Sequence, residues 1–150
     1  MAKTAGGPER VLVVDDDLPI AKMLVCILAD EGYEVDWACN GLLALEKIGA
    51  HAYDLILTDL RMPELDGVGL YRELERRQPD LLRRLIVVTG TIGHPEYQTF
   101  LAETQVPYLE KPFGLPALHT LVRQVLAAAS QSPAQSLRRA SLATAPRCHL

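Results

Sequence analysis

Five side chains in this sequence combine into a chemistry that none of them has alone. Asp15 and Asp16 follow the apolar run Val11-Leu-Val-Val, and Asp59 follows Leu55-Ile-Leu-Thr. Thr89 closes Leu85-Ile-Val-Val, and Lys111 comes just after Val106-Pro-Tyr-Leu. A lone carboxylate at the end of a buried run is costly to desolvate. Several carboxylates held together favour a divalent cation, and hard Mg²⁺ prefers oxygen donors. Three carboxylates, a hydroxyl and an ammonium suit metal-assisted phosphoryl transfer. The cation and the ammonium neutralise charge on the transferring group, and the hydroxyl hydrogen-bonds a phosphoryl oxygen. A carboxylate can itself be the nucleophile and become an aspartyl phosphate.

Such chemistry requires elements that bring distant residues together. Val11 to Val14 is an uninterrupted β-branched and leucine run, as in a central parallel strand. Asp17 can cap the following helix, with Pro19 tolerated in its first turn. Ile20, Leu24, Ile27 and Leu28 recur on one helical face, and Gly32 ends the helix. Tyr33, Val35 and Trp37 alternate with Glu34 and Asp36, which marks an edge strand or one exposed on one face. Asn40-Gly41 opens a short helix carrying Leu42, Leu45 and Ile48. The strand ending at Asp59 follows, then a loop with Pro63 and the turn pair Asp66-Gly67. Asp54 and Asp66 are read as solvated turn residues. A helix is predicted from about Leu65 to Arg77, a strand over Leu85 to Thr89 and a weaker helix over about Pro95 to Glu103. Val106 to Leu109 is a short strand that Pro107 assigns to an edge. The last helix buries Leu115, Leu118, Leu121, Val122, Val125 and Leu126.

Five strands alternating with five helices give right-handed crossovers and a parallel sheet. The expected fold is therefore α/β: a flavodoxin-like, doubly wound five-stranded parallel sheet, (βα)5, of order 2-1-3-4-5. That order puts the alternating strand and the proline-bearing strand at the two edges. It also makes strands one, three, four and five contiguous. Asp15, Asp16, Asp59, Thr89 and Lys111 then converge on the carboxyl rim of the sheet, where open α/β sheets bind ligands.

The 150 residues suit one domain with one core. The boundaries read as a disordered leader over 1–8, a folded domain over 9–129 and a flexible Ser/Ala/Arg-rich tail over 130–150. No apolar run approaches the ~20 residues of a membrane span, and no signal core opens the chain. A cytoplasmic location without membrane contact is expected. The last 20 residues hold three arginines and no acid, leaving residues 1–130 with 12 basic and 19 acidic residues. An acidic domain is a poor candidate for direct nucleic-acid binding. Cys26, Cys39 and Cys148 lack metal or redox spacing and read as two core thiols and a tail thiol. His51, His94, His119 and His149 carry no zinc signature.

Taken together, Asp15-Asp16, Asp59 with Met62-Pro63 and Asp66-Gly67, Thr89, and Lys111-Pro112-Phe113 closely resemble the receiver domain of two-component response regulators. The resemblance covers about residues 9 to 129, with each motif in order. It implies that Asp59 accepts a phosphoryl group from a phosphohistidine of a sensor histidine kinase or histidine phosphotransfer protein. It implies that Asp16, Asp59 and the backbone carbonyl of Arg61 ligate Mg²⁺, with Asp15 acting through water. Thr89 and Lys111 would hold phosphoryl oxygens, Tyr108 would be the aromatic that turns inward as Thr89 moves, and the Lys111-Pro112 bond would be cis. The output face would comprise the fourth helix, fifth strand and fifth helix, and homodimerisation there is left open. Gly90 departs from the more usual alanine and frees the loop after it. Arg61 and Thr91 fall where similar proteins tune loss of the phosphoryl group, and the Arg61 cation is expected to slow it.

Such a domain turns over only its own phosphoryl bond and is expected to be a signalling module, not an enzyme. The alternative is a phosphatase resembling the haloacid-dehalogenase superfamily, whose nucleophile motif Asp15-x-Asp17 mimics. That family needs a further acidic pair beyond the lysine, and no Asp or Glu follows Lys111. A constitutive scaffold with a vestigial pocket is a third reading, but no site position is missing.

Overall fold

The computed structural model describes residues 7–130. Most of the expected leader and tail, and Cys148 with them, therefore lies outside the described residues. The strands are β1 (Arg10–Val14), β2 (Glu34–Ala38), β3 (Leu55–Thr58), β4 (Leu85–Thr89) and β5 (Tyr108–Glu110). They alternate with α1 (Leu18–Asp30), α2 (Gly41–Ala50), α3 (Gly67–Arg77), α4 (Pro95–Thr104) and α5 (Leu115–Ala129). The sheet has order β2-β1-β3-β4-β5 with every pairing parallel, as the alternating pattern predicts.

Period-two alternation divides the apolar residues between two faces. Leu12, Val14, Ile56 and Val87 pack with α2, α3 and α4 through Ala44, Ile48, Leu70, Leu74 and Phe100. Val11, Val13, Leu55, Leu57, Ile86 and Val88 pack with α1 and α5 through Leu24, Leu28, Leu118 and Val122. The central strands are buried on both sides, which is why they read as unbroken apolar runs. β2 at the edge keeps its polar residues on a half-exposed face. No helix among the described residues is long and apolar enough to cross a membrane.

Several expectations are corrected. Cys26 is exposed and is no core thiol, whereas Cys39 is half-buried. Leu115, expected on the buried face of α5, is exposed at its first turn, as is Leu42 in the first turn of α2. Asp66 is the N-cap of α3, accepting from the Gly69 N–H at 2.8 Å. Asp54 accepts from the Arg10 N–H at 2.8 Å, and its carbonyl accepts from Arg84 at 3.2 Å, so neither acid is merely a solvated turn residue. A short 3₁₀ helix over Pro79–Arg84, absent from the sequence reading, links α3 to β4. The Asp17 cap is present, accepting from the Ile20 N–H at 3.4 Å.

Candidate functional site

The site lies at the carboxyl ends of β1, β3, β4 and β5. Each residue arrives there because its strand is apolar up to that point and the sheet register aligns the ends. Val14 pairs with Thr58 and Thr89 with Glu110. The Asp59 N–H donates to the Val14 carbonyl at 2.9 Å, and the Lys111 N–H to the Thr89 carbonyl at 2.9 Å. The ladder thus continues one residue past the strands and fixes the backbone of two site residues.

At the centre, Lys111 Nζ donates to Asp15 Oδ2 at 2.8 Å and to Asp59 Oδ2 at 3.2 Å. Asp59 Oδ1 accepts from the Leu60 N–H at 2.7 Å, and Asp15 Oδ1 from the Asp17 N–H at 3.0 Å. Asp15 and Asp59 are only 2% and 9% exposed, while Asp16 is open to solvent. The three acids each present a carboxylate oxygen within 4.8 Å of the others. An all-oxygen donor set held that tightly fits a hard divalent cation, so these residues could hold a metal.

Burial raises the Asp15 carboxyl above its usual range, and the Lys111 ammonium and Asp17 N–H oppose this without cancelling it. For Lys111, burial favours the neutral amine. The hydrogen bond to Asp15 and the charges of Asp59 and Asp15 outweigh it, so the ammonium is held more firmly than usual. The lysine is a fixed positive charge beside two largely dry carboxylates, each of which keeps its Oδ1 free of the lysine contact.

Thr89 is fully buried at the end of β4. Its hydroxyl shares a 2.9 Å hydrogen bond with the Thr91 hydroxyl and also accepts from the Thr91 N–H at 3.2 Å. Tyr108 is half-buried on the edge strand β5, against the α2–α3–α4 core. Arg61 is exposed just beyond Asp59. The Lys111-Pro112 bond is cis.

The loop after Asp59 is held by two backbone hydrogen bonds. The Gly67 N–H donates to the Leu60 carbonyl at 2.8 Å, and the Gly41 N–H of α2 to the Leu65 carbonyl at 2.9 Å. A Cβ at Gly67 would collide with the Asp59 carbonyl oxygen, so only glycine lets the loop close this tightly. Glu64 occupies the left-handed region at φ 69°, a conformation unusual for a residue with a side chain.

Of the five residues expected on one rim, Asp15, Asp16, Asp59 and Lys111 are brought together, whereas Thr89 stands at the end of β4 with its hydroxyl on Thr91. The sequence reading missed the Thr89–Thr91 pair and the indole of Trp37, which donates to the Asp15 carbonyl at 2.8 Å. Neither has a motif. Both depend on where a side chain turns after its strand ends.

A five-stranded parallel sheet carrying three acids, a threonine and a lysine on its carboxyl rim defines a signalling domain of two-component systems. The chain belongs to the response regulator receiver domain family, whose sequence profile matches residues 11–123. The response regulator receiver protein CpdR of Brucella abortus (strain 2308) is 33% identical over 121 residues, 81% of this chain and 99% of that protein. A CheY-like receiver domain protein from Methanospirillum hungatei JF-1 is similar in structure, with TM-score 0.75 and 29% identity over 83% of this chain and 98% of that one. The response regulator protein TrrA from Thermotoga maritima, in complex with Mg(2+)-BeF, gives TM-score 0.68 and 32% identity over 78% and 98% of the two chains. The chain spans only 27% and 31% of the length of two transcriptional regulatory proteins that it also matches.

Proposed function

We propose that this domain accepts a phosphoryl group on Asp59 from a phosphohistidine of a sensor histidine kinase or phosphotransfer protein, in a Mg²⁺-dependent reaction. The observation that carries this reading is the contact of Lys111 Nζ with Asp59 and Asp15, residues 52 and 96 positions away in the chain. An Asp59 carboxylate oxygen attacks phosphorus, an O–P bond forms and the N–P bond to the imidazole breaks. The electron pair returns to the imidazole nitrogen, which then takes a proton. Asp16, Asp59 and the Arg61 carbonyl would hold Mg²⁺, with Asp15 acting through water, and the bound ion would supply positive charge to the phosphoryl oxygens.

Lys111 places a second positive charge on the same group and is already desolvated, so little reorganisation is required. The Thr89 hydroxyl releases Thr91 and donates to a phosphoryl oxygen. Tyr108, on the neighbouring strand, then moves inward, and the α4–β5–α5 face changes. The boundaries of the working domain are residues 9–129. The location is cytoplasmic, with no role for membrane or direct nucleic-acid binding in the domain itself. Activity and partners of any longer protein carrying it follow from its other parts.

Nuclear magnetic resonance of the chain with beryllofluoride and Mg²⁺ tests this. Shifts at Thr89, Tyr108 and Lys111 that vanish in Asp59→Asn are expected. Unchanged spectra in the wild-type chain would refute the reading.

A further inference from the structure

Asp15 is held at all four of its polar groups. Oδ1 accepts from the Asp17 N–H, Oδ2 accepts from Lys111 Nζ, and its N–H donates to the Ala38 carbonyl at 3.1 Å. Those three contacts come from backbone or from the site itself. The fourth, at its carbonyl, comes from Trp37 on the edge strand β2, the only tryptophan in the chain.

The register shows why an indole is used there. In a parallel ladder both polar groups of a residue face the same neighbouring strand. Val14 pairs with Ala38, so Asp15 faces β2 just past its end. Its N–H finds the Ala38 carbonyl. Its carbonyl would need the N–H of residue 40, but Asn40 has left the ladder to cap α2, accepting from the Leu43 N–H at 2.9 Å. The Trp37 N–H supplies the missing donor. The ring is packed against the α1–α5 core beside Val13, so the direction of that N–H is fixed by packing.

We propose that Trp37 is a positioning residue for the cation: its N–H fixes the peptide joining Asp15 to Asp16 and so keeps the exposed Asp16 carboxylate beside Asp15 and Asp59. Without the donor, the Asp15 carbonyl turns to water and that peptide rotates. Asp16 swings with it, because the same rotation moves the backbone from which its side chain departs. The cation then has to re-form the triad at its own cost. This inference rests on the reading that the three acids hold Mg²⁺.

The test replaces Trp37 with its 3-benzothienyl isostere, which keeps the bicyclic shape but has sulfur where the N–H stood, alongside Trp37→Phe. Mg²⁺ affinity is read by calorimetry, and the melting temperature is read with and without Mg²⁺. Loss of one hydrogen bond corresponds to about a three- to tenfold weakening of Mg²⁺ binding. That loss is expected in the isostere, with a near-normal melting temperature in the absence of Mg²⁺ and a smaller rise when Mg²⁺ is added. Equal Mg²⁺ affinity in the isostere and the wild-type chain overturns the proposal, as does a melting temperature lowered by the same amount with and without Mg²⁺. If the wild-type chain takes up no Mg²⁺, the proposed Mg²⁺-dependent phosphoryl transfer fails along with it. Should Trp37→Phe fail to fold, the isostere alone decides.

Discussion

The Thr89 hydroxyl illustrates how single side chains here carry two competing contacts. It is held by Thr91 at 2.9 Å, yet the proposed chemistry needs it on a phosphoryl oxygen. Breaking one neutral hydrogen bond in the resting domain works against the modified state by about 0.5–1.5 kcal/mol. Thr91→Val keeps the shape and the N–H contact but removes the competing hydroxyl. Beryllofluoride titration should then show a few-fold tighter binding in Thr91→Val and near-wild-type binding in Thr91→Ser. Weaker binding in Thr91→Val would mean that Thr91 supports the Thr89 hydroxyl instead of withholding it. The acids and the lysine were legible from sequence because each ends an apolar run. The Thr91 contact was not, since it depends on a rotamer after the strand has ended.

At the scale of elements, the site is as rigid as the loop between β3 and α3. That loop is tied by the Gly67 and Gly41 N–H groups and capped by Asp66. Gly67→Ala places a methyl group against the Asp59 carbonyl, and such overpacking costs about 1–3 kcal/mol. Chemical denaturation should show a loss in that range, whereas no loss would mean that the loop has slack. The elements themselves were legible because five apolar runs alternate with helical periodicity. Helix phase at single positions was less so. Cys26 lies two residues from both Leu24 and Leu28, which turns it roughly opposite the buried stripe. Leu42 falls off the buried stripe of Gly41, Ala44 and Ile48, and Leu115 is the first residue of α5, in phase with buried Leu118 and Val122 yet exposed. The 3₁₀ helix over Pro79–Arg84 is a short stretch whose Leu81 and Leu82 are only partly buried against the core, too short to show a helical period. Its Arg84 nonetheless reaches the Ala129 carbonyl at 3.3 Å and ties the end of α5 to the start of β4.

For the molecule as a whole, titration behaviour follows from what the fold buries. Lys111 keeps its proton more firmly when folded than when unfolded, through Asp15 and Asp59. The phenols of Tyr53, Tyr71 and Tyr97 are likewise raised, first by burial and then by nearby acids. In each case the folded state holds the proton longer. The stabilisation is therefore complete below about pH 10 and is lost as pH rises through the folded values. Denaturation followed across the alkaline range should show this fall, and Tyr53→Phe should reduce its slope. An unchanged slope would mean that the Tyr53 hydrogen bond to Asp36, 2.7 Å long, does not hold the phenol protonated. The sheet order was legible for a related whole-molecule reason: of the two common doubly wound orders, 2-1-3-4-5 leaves the alternating and proline-bearing strands at the edges and the acids together. The most direct measurement of the central claim is the mass of the intact chain after exposure to acetyl phosphate. One phosphoryl group is expected, mapping to Asp59, lost in Asp59→Asn and absent when Mg²⁺ is chelated. A group on another residue, or one that forms equally well without Mg²⁺, would contradict the account.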